Sequence, residues 1–208
     1  MNYIHNNSID EKIRIENETF NHNWIQLNKF DCHKSIPKDH LDFDNLDSTA
    51  FQVVWFKNID RLIKMLPSNI DFSEYSLLDV GSGSGISTLY FLENYQFKSY
   101  FGFDKSKYLI CNAKKNKEIF FKDKNVSLKI EFEICDATNF KIKEKSIVFM
   151  FNPFGLKTMK KFFFNNLNFL KKSSSYLLYA NDLCISSLAN YGTILARDDY
   201  YNLSCIKF

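Results

Sequence analysis

The chain has 208 residues, 45% hydrophobic, 25% charged and 17% aromatic, with 22 phenylalanines, a composition that gives a globular protein a sizeable core. A net charge of +3, from 27 basic and 24 acidic residues, gives no strong nucleic-acid signal. No apolar run reaches the roughly 18 residues of a membrane span.

Met1 to Asn7 carries neither the basic nor the apolar region of a signal peptide, so a cytoplasmic location is expected. The five cysteines are odd in number and no two are spaced CxxC, which predicts reduced thiols and no disulfide framework or zinc knuckle.

Residues 1–46 are polar and hold all four histidines. Their apolar residues are scattered, apart from Ile13-Arg14-Ile15, which alternates like a short strand. The segment reads as an N-terminal extension or lid, with the main domain at 47–208. Cys32, His33 and His40 lack the partners of a metal site. Phe51, Trp55, Ile59, Leu62 and Leu66 then recur at helical spacing, predicting an amphipathic helix capped by Ser48 or Thr49 and stopped by Pro67.

Strands and helices alternate from there. Tyr75–Val80, Ser99–Phe103, Val126–Ile134, Ser146–Phe151 and Ser174–Ala180 read as strands. Helices are predicted over 84–95, from a Ser106 cap to Phe121, and on the stripe Leu156, Met159, Phe163, Leu167, Leu170. Tyr191–Phe208 forms a hairpin around Asp198-Asp199. The expected fold class is α/β: a doubly wound, mostly parallel seven-stranded sheet with helices on both faces and a terminal antiparallel hairpin. Ligands of such sheets bind beyond the carboxyl ends of the strands.

The segment Asp79-Val80-Gly81-Ser82-Gly83-Ser84-Gly85 falls between a strand and a helix. Gly81 permits a sharp turn, Gly83 a close ligand approach, and Gly85 tight helix packing. Asp104, 23 residues after Gly81 at the end of the second strand, can accept both hydroxyls of a ribose. Asp136 and Asn152 end the third and fourth strands. The polar residues at these strand ends would line one crevice.

On these motifs the sequence resembles the class I S-adenosylmethionine-dependent methyltransferases. The Asp79–Gly85 segment is similar to their first motif, D/E-x-G-x-G-x-G; Ile86 stands where the nicotinamide fingerprint needs Gly or Ala. The resemblance implies that Asp79, Gly81, Ser82, Gly83, Gly85, Asp104, Lys105, Asp136, Ala137 and Asn152 bind the cofactor, S-adenosylmethionine. Asp136 with Ala137 would meet the adenine amino group, and Asn152-Pro153-Phe154 would lie beside the transferred methyl. Lys105 replaces the apolar residue that packs on adenine in many relatives. The fourth motif lacks the second proline of the amino-group methyltransferases. The Asn-Pro-Phe-Gly form is similar to small bacterial methyltransferases, some encoded with polysaccharide-synthesis genes, which implies a small-molecule or glycan acceptor.

Asn152 is the candidate to orient the acceptor. Asp182, just after the fifth strand, is the candidate base, with His33 and His40 as alternatives. A non-catalytic adenosyl-binding or scaffolding protein is the competing reading. A nicotinamide oxidoreductase is disfavoured by Ile86, and nucleic-acid methylation by the low net charge.

Overall fold

A computed structural model describes residues 9–33, 35–37, 40–41, 47–122 and 129–208. The first element among the described residues is helix α1 (Glu11–Leu27), opened by the Asp10 carboxylate accepting from the Lys12 amide at 2.8 Å. Strands β1 (Ser35–Ile36) and β2 (Phe51–Gln52) pair antiparallel. Helix α2 (Phe56–Lys64) follows.

The alternating part runs β3 (Ser76–Val80), α3 (Ile86–Asn94), β4 (Ser99–Asp104), α4 (Lys107–Phe121), β5 (Ile130–Ile134), β6 (Ser146–Phe151), α5 (Leu156–Lys172), β7 (Tyr176–Ala180), α6 (Ile185–Leu188), β8 (Thr193–Asp198) and β9 (Leu203–Lys207). One seven-stranded sheet has the order β5-β4-β3-β6-β7-β9-β8. The first five strands are parallel; β9 lies antiparallel between β7 and β8. This is the doubly wound sheet that the alternation predicts. Residues 126–128 of the expected third strand lie outside the described residues.

Successive residues of β3 serve opposite faces, as the two-residue period of a strand requires. Leu77 joins one core with Phe56, Ile59 and Leu62 of α2, Leu89 and Phe91 of α3, and Ile110 and Ala113 of α4. Leu78 joins the other with Met159, Phe162, Phe163 and Leu170 of α5. Every residue of β3 is buried, because helices cover both faces at the sheet's centre.

Two expectations are corrected near the N-terminus. Ile13–Ile15 is helical, not a strand. The buried stripe of α1 is Asn17, Asn21 and Ile25, so two of its three members are polar and an apolar count misses them. Asn21 reaches across to α2: its Nδ2 donates to the Val54 carbonyl at 2.7 Å, and its Oδ1 accepts from the Phe56 amide at 2.9 Å. Trp24 packs edge-on against Phe56 and Tyr90, and Ile25 and Phe30 belong to the main core. Secondly, the helix expected from Ser48 starts at Phe56. Phe51 is a strand residue, and the donor-side cap of α2 comes from Asn21, not from Ser48 or Thr49.

Candidate functional site

A crevice of about 370 Å³ opens at the carboxyl ends of β3, β4 and β6, within the usual range for a small-molecule site. Its walls bring together Asp79, Gly81, Ser82, Asp104, Lys105, Asp136, Ala137 and Asn152. Gly83 and Gly85 complete the turn behind them.

The turn follows from its glycines. Gly81, Gly83 and Gly85 have φ of 74°, 54° and 76°, a left-handed region that side chains disfavour. A Cβ on Gly81 would lie 2.3 Å from Pro153 Cβ, so the turn and the Asn152-Pro153 loop pack against each other. A Cβ on Gly83 would lie 2.2 Å from the Phe51 ring, which covers the turn from the β2 side.

Asp104 ends β4 with both carboxylate oxygens facing backbone amides. One accepts from Gly83 N at 3.1 Å, the other from Ser106 N at 2.9 Å. Asp104 thus stands at the turn as an acceptor group for a hydroxyl-bearing ligand. Asp136 accepts from the Thr138 amide at 2.8 Å and pairs with Lys105 at 3.2 Å. Burial pushes its carboxyl up, but the Thr138 bonds and the Lys105 ammonium outweigh it and hold the group below the usual range. Lys105 thus ties the ends of β4 and β5 together.

Asp79 lies beneath the turn. Burial pushes its carboxyl up to about 7; the Thr88 hydroxyl, donating at 2.6 Å, works the other way, and nearby Asp104 adds to the rise. Ser82 Oγ is buried in the crevice wall with no hydrogen-bond partner among the described residues. A buried hydroxyl left alone is costly in a native fold, so this orphan is a group a bound ligand can satisfy. The polar wall, the orphaned hydroxyl and the cavity volume fit an adenosyl ligand.

Asn152 follows β6 with φ of 40°. Its Oδ1 accepts from the Tyr179 hydroxyl at 3.0 Å, and its carbonyl from the Thr49 hydroxyl at 3.0 Å. Asn181 follows β7, the neighbouring strand, also with positive φ, and lines the same end of the crevice. Sequence reasoning missed Asn181; its place directly after a buried strand was the available signal. It also missed Thr49, Phe51 and Tyr179, which carry no motif.

Asp182 does not join this set. Its carboxylate is 2% exposed and absent from the crevice walls. It pairs with Arg197 Nε at 2.9 Å and accepts a short hydrogen bond from Ser204, both beyond the far side of β7. The base expected there is turned toward β8 and β9. His33 and His40 are exposed and are not crevice residues either. Among the described residues no group of His, Cys, Asp or Glu is placed to hold a metal ion. No described helix is long and apolar enough to cross a membrane.

A strap from the N-terminal side lines one wall of the crevice. Asp47 O accepts from Gly155 N at 2.6 Å, and its carboxylate accepts from Thr158 N at 2.6 Å, capping α5 from across the chain. Ser48 bridges to Phe154, and Thr49 N donates to the Pro153 carbonyl at 3.4 Å.

Residues 78–173 match the family model described as a methyltransferase domain. No curated protein matches the chain. Among solved structures, Thermoplasma acidophilum 1320 is 15% identical with a TM-score of 0.51, over 89% of this chain and 94% of that one. The ribosomal protein L11 methylase of Lactobacillus delbrueckii subsp. bulgaricus is 14% identical, TM-score 0.48, over 73% and 74% of the two chains. TrmK of M. capricolum, solved with S-adenosylhomocysteine, is 16% identical, TM-score 0.45, over 71% and 67%.

Proposed function

We propose a function on the premise that this chain is a class I S-adenosylmethionine-dependent methyltransferase: it methylates an oxygen or nitrogen of a small-molecule or glycan acceptor. One observation carries the reading. The glycine turn, Asp104, Asp136 and Asn152 converge on a single crevice at the ends of four adjacent parallel strands.

S-adenosylmethionine supplies an electrophilic methyl group on a sulfonium. Asp104 would hold the ribose hydroxyls, Asp136 the adenine amino group, and the amides and Ser82 hydroxyl of the turn the remaining polar atoms. Ala137 and the Lys105 stem offer flat apolar contact to adenine. Asp79, at the base of the turn, suits a cationic amino group, whose charge would draw the carboxyl into its ionised form. Asn152 and Asn181 stand at the other end, where an acceptor would meet the methyl. Phe51 and the 47–49 strap exclude water from that junction. Alignment of nucleophile, carbon and leaving group can by itself contribute about 7–11 kcal/mol. Asp182 is proposed as a structural ion-pair partner, not a base.

The test is thermal denaturation with S-adenosylhomocysteine, S-adenosylmethionine and NADH. A ligand at 100 times its Kd should add about 2.7 kcal/mol. Stabilisation by the two adenosyl sulfur compounds is expected; stabilisation by NADH alone would overturn the assignment. Transfer of labelled methyl to an acceptor separates an enzyme from a binding protein.

A further inference from the structure

We propose that the exposed face of α5 docks on an anionic lipid bilayer, with Phe164 inserted among the headgroups; this goes beyond the methyl-transfer reading and does not depend on it. The charge of the chain is unevenly spread. Basic and acidic residues nearly balance overall, 27 against 24, yet between Glu144 and Asp182 there are six lysines and no acid. Five of the six, Lys157, Lys160, Lys161, Lys171 and Lys172, lie on α5 and are exposed. None of the five forms an ion pair among the described residues. Asp47, the acid that caps α5, is held by the Thr158 amide at 2.6 Å.

Helix geometry gathers these cations on one face. At about 100° per residue, all five lie within about 80° of Phe164 around the axis, some on each side of it. The opposite arc, with Met159, Phe162, Phe163 and Leu170, is buried against the sheet. Lys157 and Lys172 stand about 22 Å apart along the axis, at 1.5 Å per residue, so the face is a straight ridge with cations at both ends. Lys141, in the connection from β5 to β6, adds a further cation at its rim and donates to the Asn165 carbonyl of α5 at 3.2 Å.

Phe164 stands at the centre of the ridge. At 83% it is the most exposed large apolar side chain among the described residues. An aromatic ring left in water gains free energy when a partner covers it.

Lysines alone suit any polyanion; the apolar side chains favour the bilayer. Leu156 opens α5 and is 38% exposed, and Leu183, after β7, is 62% exposed. Leu183 lines the crevice together with Phe154 and Thr158, so both leucines belong to the end of α5 that meets the crevice. Nucleic-acid bases stack on aromatic rings but give a leucine little to bury in, whereas the boundary between headgroups and acyl chains takes both kinds of side chain. The lysine stems lie along such a boundary while their ammonium groups reach the phosphates. The opposite charge of the bilayer supplies the attraction, and Phe164 and the leucines supply the burial.

Vesicle flotation of the full chain tests this. Vesicles of phosphatidylcholine alone should carry little protein. Vesicles with about one-third phosphatidylglycerol should carry it at low salt and release most of it near 1 M, where the Debye length falls to about 3 Å. Lys160→Glu with Lys161→Glu should weaken binding at least about 25-fold, since each lysine near such a surface is worth about fivefold. Lys114→Glu with Lys115→Glu makes the same change of charge on exposed residues of α4, which packs into the other core, and should cost less than about threefold. Phe164→Ser should cost about tenfold, the scale of one ring leaving the apolar boundary. Phe164→Trp should show emission shifted to the blue on the mixed vesicles, beyond any change in the parent. Phe164 is too exposed for either substitution to disturb the core, and unchanged melting temperatures check it. No binding to the mixed vesicles, equal losses from the two lysine pairs, or an unshifted tryptophan overturns the inference. So does an RNA oligonucleotide that strips the protein from the vesicles and binds Phe164→Ser as tightly as the parent, which would assign the face to nucleic acid.

Discussion

Replacing Asp79 with Asn should make the protein more stable at alkaline pH and no more stable at acid pH. Asp79 is 2% exposed, and its carboxyl is pushed from 3.8 to about 7, first by burial and further by Asp104. Between these two values the folded chain keeps a proton that the unfolded chain has lost. Stability therefore falls as pH rises through that window and levels off above about 7. The rise corresponds to about 4 kcal/mol at 1.36 kcal/mol per pKa unit, taken as an upper bound. Asparagine can still accept the Thr88 hydroxyl, now at 2.6 Å, and it is never charged. The stability difference between variant and parent should be near zero at about pH 4 and grow toward about 4 kcal/mol at about pH 8. Calorimetric melting of the two ligand-free proteins across that range measures it, at about 2–4 °C per kcal/mol for a chain of this size. A difference that stays constant with pH would show that the carboxylate carries no burial penalty. Under the proposed function the same variant should bind S-adenosylmethionine more weakly, because asparagine cannot ionise in response to the cofactor's cationic amino group.

Asp104→Ala should weaken S-adenosylhomocysteine by about 10- to 150-fold, the effect of losing 1.5–3 kcal/mol of charge-assisted bonding; unchanged affinity by calorimetry would remove Asp104 from the site. Asp182→Asn should lower the melting temperature, since the bonds of the buried carboxylate to Arg197 and Ser204 lose their charge at about 1–3 kcal/mol, and should leave S-adenosylhomocysteine affinity intact. A loss of affinity at constant melting temperature would return Asp182 to the site. Asn21→Ala strands the Val54 carbonyl and the Phe56 amide, each at about 1–3 kcal/mol. Urea denaturation should show that loss, and an unchanged midpoint would mean α1 is docked only loosely.

The centre of the sheet was legible because β3, β6 and β7 are short apolar runs flanked by turn residues. Ser146–Phe151 is bounded as its apolar pattern suggests, and the Ser106 cap predicted for α4 accepts from the Leu109 amide at 3.2 Å. The crevice was legible where glycines and acids fall at strand ends. The illegible parts depend on residues far apart in the chain. Asn21 caps α2, and Asp47 caps α5, across 35 and 111 positions; local capping rules look only a few residues away. Asp182 shows the opposite failure. Its position after β7 suggested the crevice, but one step along the backbone turns its side chain toward Arg197, while Asn181 faces the crevice.

The contact between Gly81 and Pro153 has a kinetic consequence. These residues abut although 72 positions separate them, and the strands behind them, β3 and β6, pair Ser76 with Ser146. Closing so long a loop is slow, and contacts across it come late in folding. The crevice has no second wall until β6 has docked, so a folding chain offers the adenosyl ligand nothing to grip. Ligand binding then stabilises the finished state and not the folding barrier. Saturating S-adenosylhomocysteine should slow unfolding in proportion to its binding free energy, and leave the refolding rate where it was.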